Sequence, residues 1–107
     1  MNMAAATTRV SVVYYSHYRG ATEAVARAIS RGAASVPGTE VALVSVEAVE
    51  RNWERLHDSD AVIFGSPTYI GGPAARFKLF IEQLAGEVWV KRLWTNKIAA
   101  GFTVSAG

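Results

Sequence analysis

Three short polar stretches each follow an apolar run and carry residue types suited to gripping a phosphorylated ligand. The first is Ser16-His17-Tyr18-Arg19-Gly20-Ala21-Thr22. A helix beginning at its end presents unpaired N–H groups and a partial positive charge, both of which favour a phosphate. Gly20 permits close backbone approach, and the Ser16 and Thr22 hydroxyls can donate hydrogen bonds. The same residues also read as an ordinary helix cap at Thr22, with Glu23 in the first turn. The second stretch is Ser66-Pro67-Thr68-Tyr69-Ile70-Gly71-Gly72. Pro67 stiffens it, its glycines expose backbone amides, and Tyr69 puts an aromatic ring at the tip. A strand-to-helix turn whose Tyr caps the core is the competing reading. The third, Thr103-Val104-Ser105-Ala106-Gly107, is small and polar and says little alone. Neither the Lys and spacing of a nucleotide-triphosphate loop nor a G-x-G-x-x-G is present, which disfavours ATP and a Rossmann-bound dinucleotide.

The elements around these stretches must bring them together. Residues 10–15 (Val-Ser-Val-Val-Tyr-Tyr) read as a buried strand. Val25, Ala28, Ile29, Gly32 and Val36 fall near helical spacing from about Thr22, and Pro37-Gly38 ends that helix. Residues 41–46 are a second strand. Val49, Trp53 and Leu56 suggest a helix over 47–56, broken by Asp58-Ser59-Asp60. Residues 61–65 (Ala-Val-Ile-Phe-Gly) are a third strand. Gly71-Gly72-Pro73 opens a third helix, with Pro73 suited to its first turn and Phe77, Phe80, Ile81 and Leu84 as its apolar face. Residues 86–96 form a loop with a short helix, and 98–104 a fourth strand. Apolar strands alternating with helices predict a parallel sheet covered on both faces, joined by right-handed crossovers. Ligands of such sheets sit beyond the carboxyl ends of the strands, where all three polar stretches fall.

Composition narrows the chemistry. The chain has 107 residues, half of them hydrophobic, enough for one small domain. Its formal charge is +2, too mild to imply nucleic acid, and no basic helix face is present. With no cysteine, thiolate zinc sites, iron–sulfur clusters and Cys nucleophiles are excluded. No His cluster or carboxylate pair suggests a metal. His17 is expected on the loop surface and His57 in a helix-ending turn, neither as a catalytic base. No apolar run reaches ~18 residues, so no transmembrane helix is expected. The start lacks a basic region followed by an apolar stretch, and the expected location is the cytoplasm.

Tyr14-Tyr15-Ser16 with Gly20 and Thr22, then Phe64-Gly65-Ser66-Pro67-Thr68-Tyr69, then Phe77-Lys78 and Gly101-Phe102-Thr103, together resemble the flavodoxin superfamily. They look most like its branch of NAD(P)H:quinone oxidoreductases related to the Trp-repressor-binding protein, also called flavodoxin-family FMN reductases. The resemblance runs from Arg9 to the end, and Gly-Ser-Pro-Thr-Tyr followed by Gly-Gly and a Phe-Lys helix is its most specific part. It implies a three-layer α/β/α fold with a twisted parallel sheet of order 2-1-3-4, and FMN at the point where strand order reverses. By position, Ser16, Tyr18, Gly20, Ala21 and Thr22 would hold the FMN phosphate, with His17 in the same loop and Arg19 adding a charge contact. Pro67, Thr68, Tyr69 and Ile70, with Gly71 in the same turn, would flank the isoalloxazine ring. Thr103, Val104, Ser105, Ala106 and Gly107 would border its pyrimidine and the ribityl chain. Trp89 stands where this branch often has an aromatic near the substrate side, which Tyr18 also approaches. An aromatic simply packing on the third helix is the other reading of Trp89.

Two departures bear on these expectations. The phosphate loop is one residue longer than the family's between Ser16 and Gly20. The chain also stops within the third loop, whereas family members continue through a fifth strand and a last helix. The fourth strand then becomes a hydrophobic sheet edge, which predicts a homo-oligomer or a marginal fold. The activity implied is transfer of two electrons from NAD(P)H to a quinone. A one-electron carrier is one rival, although such carriers usually present strong negative charge, which +2 does not supply. A non-catalytic interaction protein is the other, and flavin content separates it from both.

Overall fold

The computed structural model describes residues 7–17 and 20–105. The strands are β1 (Thr8–Tyr14), β2 (Thr39–Ser45), β3 (Ala61–Tyr69), the short β4 (Gly72–Pro73) and β5 (Ile98–Val104). The helices are α1 (Ala21–Ala34), α2 (Trp53–His57) and α3 (Ala75–Leu84). A 3-10 segment, Val46–Arg51, precedes α2, and a π-turn, Ala85–Trp89, continues α3.

β1 lies between β2 and β3, and β5 joins the other side of β3, every pairing parallel. The sheet order β2-β1-β3-β5 is the expected 2-1-3-4, because β4 takes a number without adding a long strand. Register runs through Val12, which faces Leu43 on one side and Ile63 on the other, while Ile63 faces Ala100. The side-chain period of two divides the core. Val12 and Tyr14 enter one layer with Ala26 of α1, against Ile29, Leu43, Ile63 and Phe102. Val13, Val44 and Val62 enter the other, with Val49, Leu56, Phe77 and Phe80. This is a flavodoxin-like α/β sandwich.

The structure adjusts several boundaries. α1 buries Thr22 and Ala26 and stops at Ala34, so Val36 lies beyond it, exposed. Small Ala26 lets the helix approach the sheet closely. The expected helix over 47–56 is instead two pieces. Ser45 Oγ accepts from Glu47 N–H to start the 3-10 segment, and Asn52 leaves helical geometry at φ −129° and ψ 11°. The Asn52 side chain donates to Ala48 O at 2.7 Å, the local competition with helix that Asn commonly offers.

Two differences concern the third strand. It runs on to Tyr69 and turns back through a two-residue loop, Ile70-Gly71, so that Tyr69 pairs with Gly72 and Thr68 with Pro73. Pro73 therefore sits in β4, and α3 begins at Ala75 with Ala74 as its N-cap. Ile81, expected on the apolar face of α3, is 38 % exposed, whereas Phe77 and Phe80 are buried. Along β5 most residues are exposed, Ile98 among them. Among the described residues no strand pairs with its outer edge.

At the amino ends of β3 and β5 the segment before β5 is clamped to α2. Trp94 Nε1 donates to His57 Nδ1 at 2.9 Å, and the Lys97 ammonium donates to the carbonyls of His57 and Ser59. A cation at the end of a helix satisfies carbonyls that have no intrahelical partner. Burial lowers the pKa of Lys97, opposed by the negative charges of Asp60 and Asp58.

Candidate functional site

At the carboxyl end of β1 the chain leaves the sheet through Tyr15, whose N–H still donates to Gly65 O at 3.0 Å. The following loop closes on itself, since Gly20 N–H donates to His17 O at 2.8 Å. A Cβ at position 20 would stand 2.7 Å from Ser16 Oγ and 3.0 Å from His17 O, so any side chain there would have to push the Ser16 hydroxyl aside. Gly20 is the N-cap of α1 and brings no side-chain acceptor. Ser16 reaches over instead: its Oγ accepts from Glu23 N–H at 3.1 Å and donates to His17 O at 3.0 Å. The N–H groups of Ala21 and Thr22 have no acceptor within the helix. With the dipole of a 14-residue helix behind them, they form a place for an anion.

The second loop is the β3–β4 hairpin. Ile70 at φ 49° and Gly71 at φ 74° give it the doubly left-handed turn that matches the twist of a two-residue hairpin. Gly71 adopts this freely, but Ile70 is β-branched and strained there. Its side chain is fully exposed at the tip. The neck is tied down by Ser66, which donates to Pro67 O at 2.9 Å and accepts from Ala74 N–H at 3.1 Å, joining the hairpin to the start of α3.

The three loops meet. The His17 ring lies 5.6 Å from that of Tyr69 and 6.0 Å, edge-on, from that of Tyr15. Thr68 and Thr103 share a 2.5 Å hydroxyl hydrogen bond that ties the hairpin to the end of β5. A cavity of about 370 Å³ opens between hairpin and β5, lined among others by Ser66, Thr68, Pro73, Phe77, Phe102 and Thr103. The anion-ready helix end, the aromatic hairpin and the small polar end of β5 thus share one edge of the sheet. This arrangement fits FMN: the tight Gly20 loop and the free Ala21 and Thr22 amides of α1 suit the phosphate, and the hairpin and β5 end suit the ring. A larger groove of about 650 Å³ lies at the amino end of β1 and β2, lined by Arg9, Ser11, Glu40, Arg51 and Arg55 among others, away from the three loops.

Of the expected site residues, Ser16, His17, Gly20, Ala21, Thr22, Pro67, Thr68, Tyr69, Ile70, Gly71, Thr103, Val104 and Ser105 all fall at this edge. Thr22 is buried, so its side chain serves the packing of α1 as well as the loop. Tyr18, Arg19, Ala106 and Gly107 lie outside the described residues. Trp89 is not brought to the site. α3 runs back from the hairpin, so the π-turn carries Trp89 to the far edge of the sheet, where it lines a small cavity with Val88, Arg92, Trp94 and Thr95. Within this chain Trp89 thus stands apart from the three loops. Among the described residues no group of three His, Asp or Glu could hold a metal, and no helix is long and apolar enough to cross a membrane.

Sequence reasoning passed over a network beside the phosphate loop. The Tyr14 hydroxyl donates to Glu23 Oε1 at 3.5 Å, and Arg27 Nε pairs with Glu23 Oε2 at 3.5 Å. The Glu23–Arg27 spacing of four on one helix was the available signal. Burial raises the pKa of Tyr14, and the negative charge of Glu23 adds to this while Arg27 opposes it. The folded chain therefore holds this proton more tightly than the unfolded one. The corresponding stability is present below about pH 10, the ordinary tyrosine value, and is lost as pH rises through the higher folded value. Urea midpoints should fall as the pH rises above about 10, and Tyr14→Phe should flatten part of that fall. An unchanged slope in Tyr14→Phe would refute the assignment.

Comparison with known proteins agrees with this fold. The chain is 34 % identical over 103 residues to flavodoxin FldP of Pseudomonas aeruginosa (strain UCBPP-PA14), covering 92 % of this chain and 52 % of that protein. A WrbA-like flavodoxin from Agrobacterium tumefaciens superposes with a TM-score of 0.81 at 36 % identity, over 94 % of this chain and 62 % of that one. The Flv1 flavodiiron core of Synechocystis sp. PCC6803 superposes with a TM-score of 0.75 at 25 % identity, over 94 % of this chain and 24 % of that one. The chain thus spans about half the length of the Pseudomonas relative. The sequence model described as NADPH-dependent FMN reductase matches residues 8–107. With that match over nearly the whole chain, and with the strand order in agreement, the chain belongs to the NADPH-dependent FMN reductase family of the flavodoxin superfamily.

Proposed function

We propose that this chain forms the FMN-binding part of an oxidoreductase that passes two electrons from NAD(P)H to a quinone or similar small acceptor. The observation that carries the reading is the convergence of three loops at one sheet edge, locked by the His17–Tyr69 ring contact and the Thr68–Thr103 hydrogen bond. Bound FMN would supply the redox chemistry, accepting and releasing a hydride equivalent. The residues of the chain bind and orient it. Gly20, Ala21 and Thr22 would offer backbone N–H groups to the phosphate, and Ser16 a hydroxyl. Tyr69 and Ile70 would bound the ring, and Thr103, Val104 and Ser105 would face its polar edge. No acid, base or nucleophile among the side chains is needed. The exposed edge of β5 supports a working protein in which another strand or another copy covers it.

A flavodoxin-type electron carrier is the second reading, favoured by the name of the Pseudomonas relative. Titration of the purified chain with FMN, followed by quenching of flavin fluorescence, should show saturable one-to-one binding. Steady NAD(P)H oxidation with a soluble quinone should then follow. Binding without turnover would favour the carrier, and absence of quenching would refute the flavin site in this chain.

A further inference from the structure

Glu23 occupies the third position of α1, where an acidic side chain commonly folds back onto the amides of the helix N-terminus. Here it does not. Gly20 N–H is taken by His17 O, and the Glu23 carboxylate is engaged elsewhere, one oxygen by the Tyr14 hydroxyl and the other by Arg27. Tyr14 is fixed in the sheet and buried, so its hydroxyl is a rigid anchor. Arg27 is one turn farther along α1, its side chain 56 % exposed and that of Glu23 29 % exposed. The amides that suit a phosphate are thus within the reach of a carboxylate on their own helix, and that carboxylate is drawn the other way.

We infer that Glu23 is an internal competitor for the phosphate subsite and that Tyr14 and Arg27 are positioning residues that hold it off. The inference rests on the FMN reading above and specifies how the chain keeps that subsite open. A free carboxylate and a phosphate both seek the positive end of α1, and both cannot occupy it. Arg27 therefore acts on phosphate binding through Glu23.

A double-mutant cycle read with two ligands tests this. Kd is measured for FMN and for riboflavin, which lacks the phosphate, on the wild-type chain, Arg27→Gln, Glu23→Gln and the double variant. Arg27→Gln should weaken FMN by roughly two- to fivefold, the range of a charge at a helix end, and leave riboflavin unchanged. Glu23→Gln should bind FMN at least as tightly as wild type. The double variant should match Glu23→Gln, because freeing an absent competitor has no effect. An Arg27 that simply attracted the phosphate would weaken FMN equally with and without Glu23, and that additive result would overturn the inference. Equal losses for riboflavin and FMN would overturn it too, as a general structural effect. Failure of the wild-type chain to bind either flavin would overturn both this and the FMN reading, whereas FMN binding indifferent to all three variants would overturn this inference alone.

Discussion

Phe80→Ala should remove a large share of the stability of the isolated chain. Phe80 is 1 % exposed and stands where the aromatic rings of the α2/α3 layer meet. Its ring lies 5.7 Å from Phe77, 6.0 Å from Phe64 and 6.2 Å from Trp53. Truncating such a side chain costs about 3–5 kcal/mol through lost transfer energy and a residual cavity. Domains of this size hold only about 5–15 kcal/mol in total. The thermal midpoint should fall by about 15 °C or more, and a fully unfolded variant would agree. Its neighbour Leu79 is 59 % exposed, so Leu79→Ala should leave the midpoint nearly unchanged. Comparable losses at the two positions would mean that α3 packs through a different face.

That pair of neighbours illustrates what the sequence made legible. The apolar run at 10–15 marked β1 as a buried strand, and the spacing of Phe77 and Phe80 set the phase of α3. Periodicity reports burial, and burial here follows the simple three-layer plan. It misled where local chemistry outweighed it. Val36 continues the helical spacing of α1, yet the helix ends before it and Gly38 turns at φ 79°. Asn52 interrupts the second helix through its own side chain. Pro73 looked like the first turn of a helix because proline is favoured there, but the hairpin takes it first: its missing N–H costs nothing on a two-residue edge strand.

The site was legible to the extent that topology decides it. Any polar loop after a parallel strand arrives at the same sheet edge, and the three polar stretches did. Trp89 shows the limit of arguing by position in the chain. A residue after α3 must follow the helix back across the sheet, and about four turns of α3 and π-turn carry it to the far edge. The Tyr14–Glu23–Arg27 network was hidden for another reason. Its Glu23–Arg27 half is a helical spacing of four, but Tyr14 joins from a strand, and no period in the sequence records a contact between strand and helix side chains.

Gly65→Ala should destabilise the fold and disturb the third loop together. In the sheet Tyr14, Gly65 and Phe102 are neighbours in one row, Gly65 facing Tyr14 on β1 and Phe102 on β5. A Cβ at position 65 would stand 2.0 Å from Phe102 Cζ, 2.4 Å from Cε1 and 2.6 Å from Cε2. The Phe102 ring therefore lies over the glycine, filling the place a side chain would take. Even one methyl group must push the ring away, and overpacking of this kind costs about 1–3 kcal/mol. Gly65→Val should cost more. The atoms that clash are the far end of Phe102, so relief comes by swinging the ring out, which uncovers part of the α1 layer. Thr103, the next residue, then loses the placement that lets it bond Thr68. FMN affinity should accordingly fall in Gly65→Ala, measured under conditions where the variant remains folded. Phe102→Leu tests the cause, because a shorter side chain leaves room for the methyl. The cost of Gly65→Ala should shrink markedly in the Phe102→Leu background, a coupling expected for residues in contact. Additive costs would show that the glycine is required by the strand itself and that the ring merely happens to cover it.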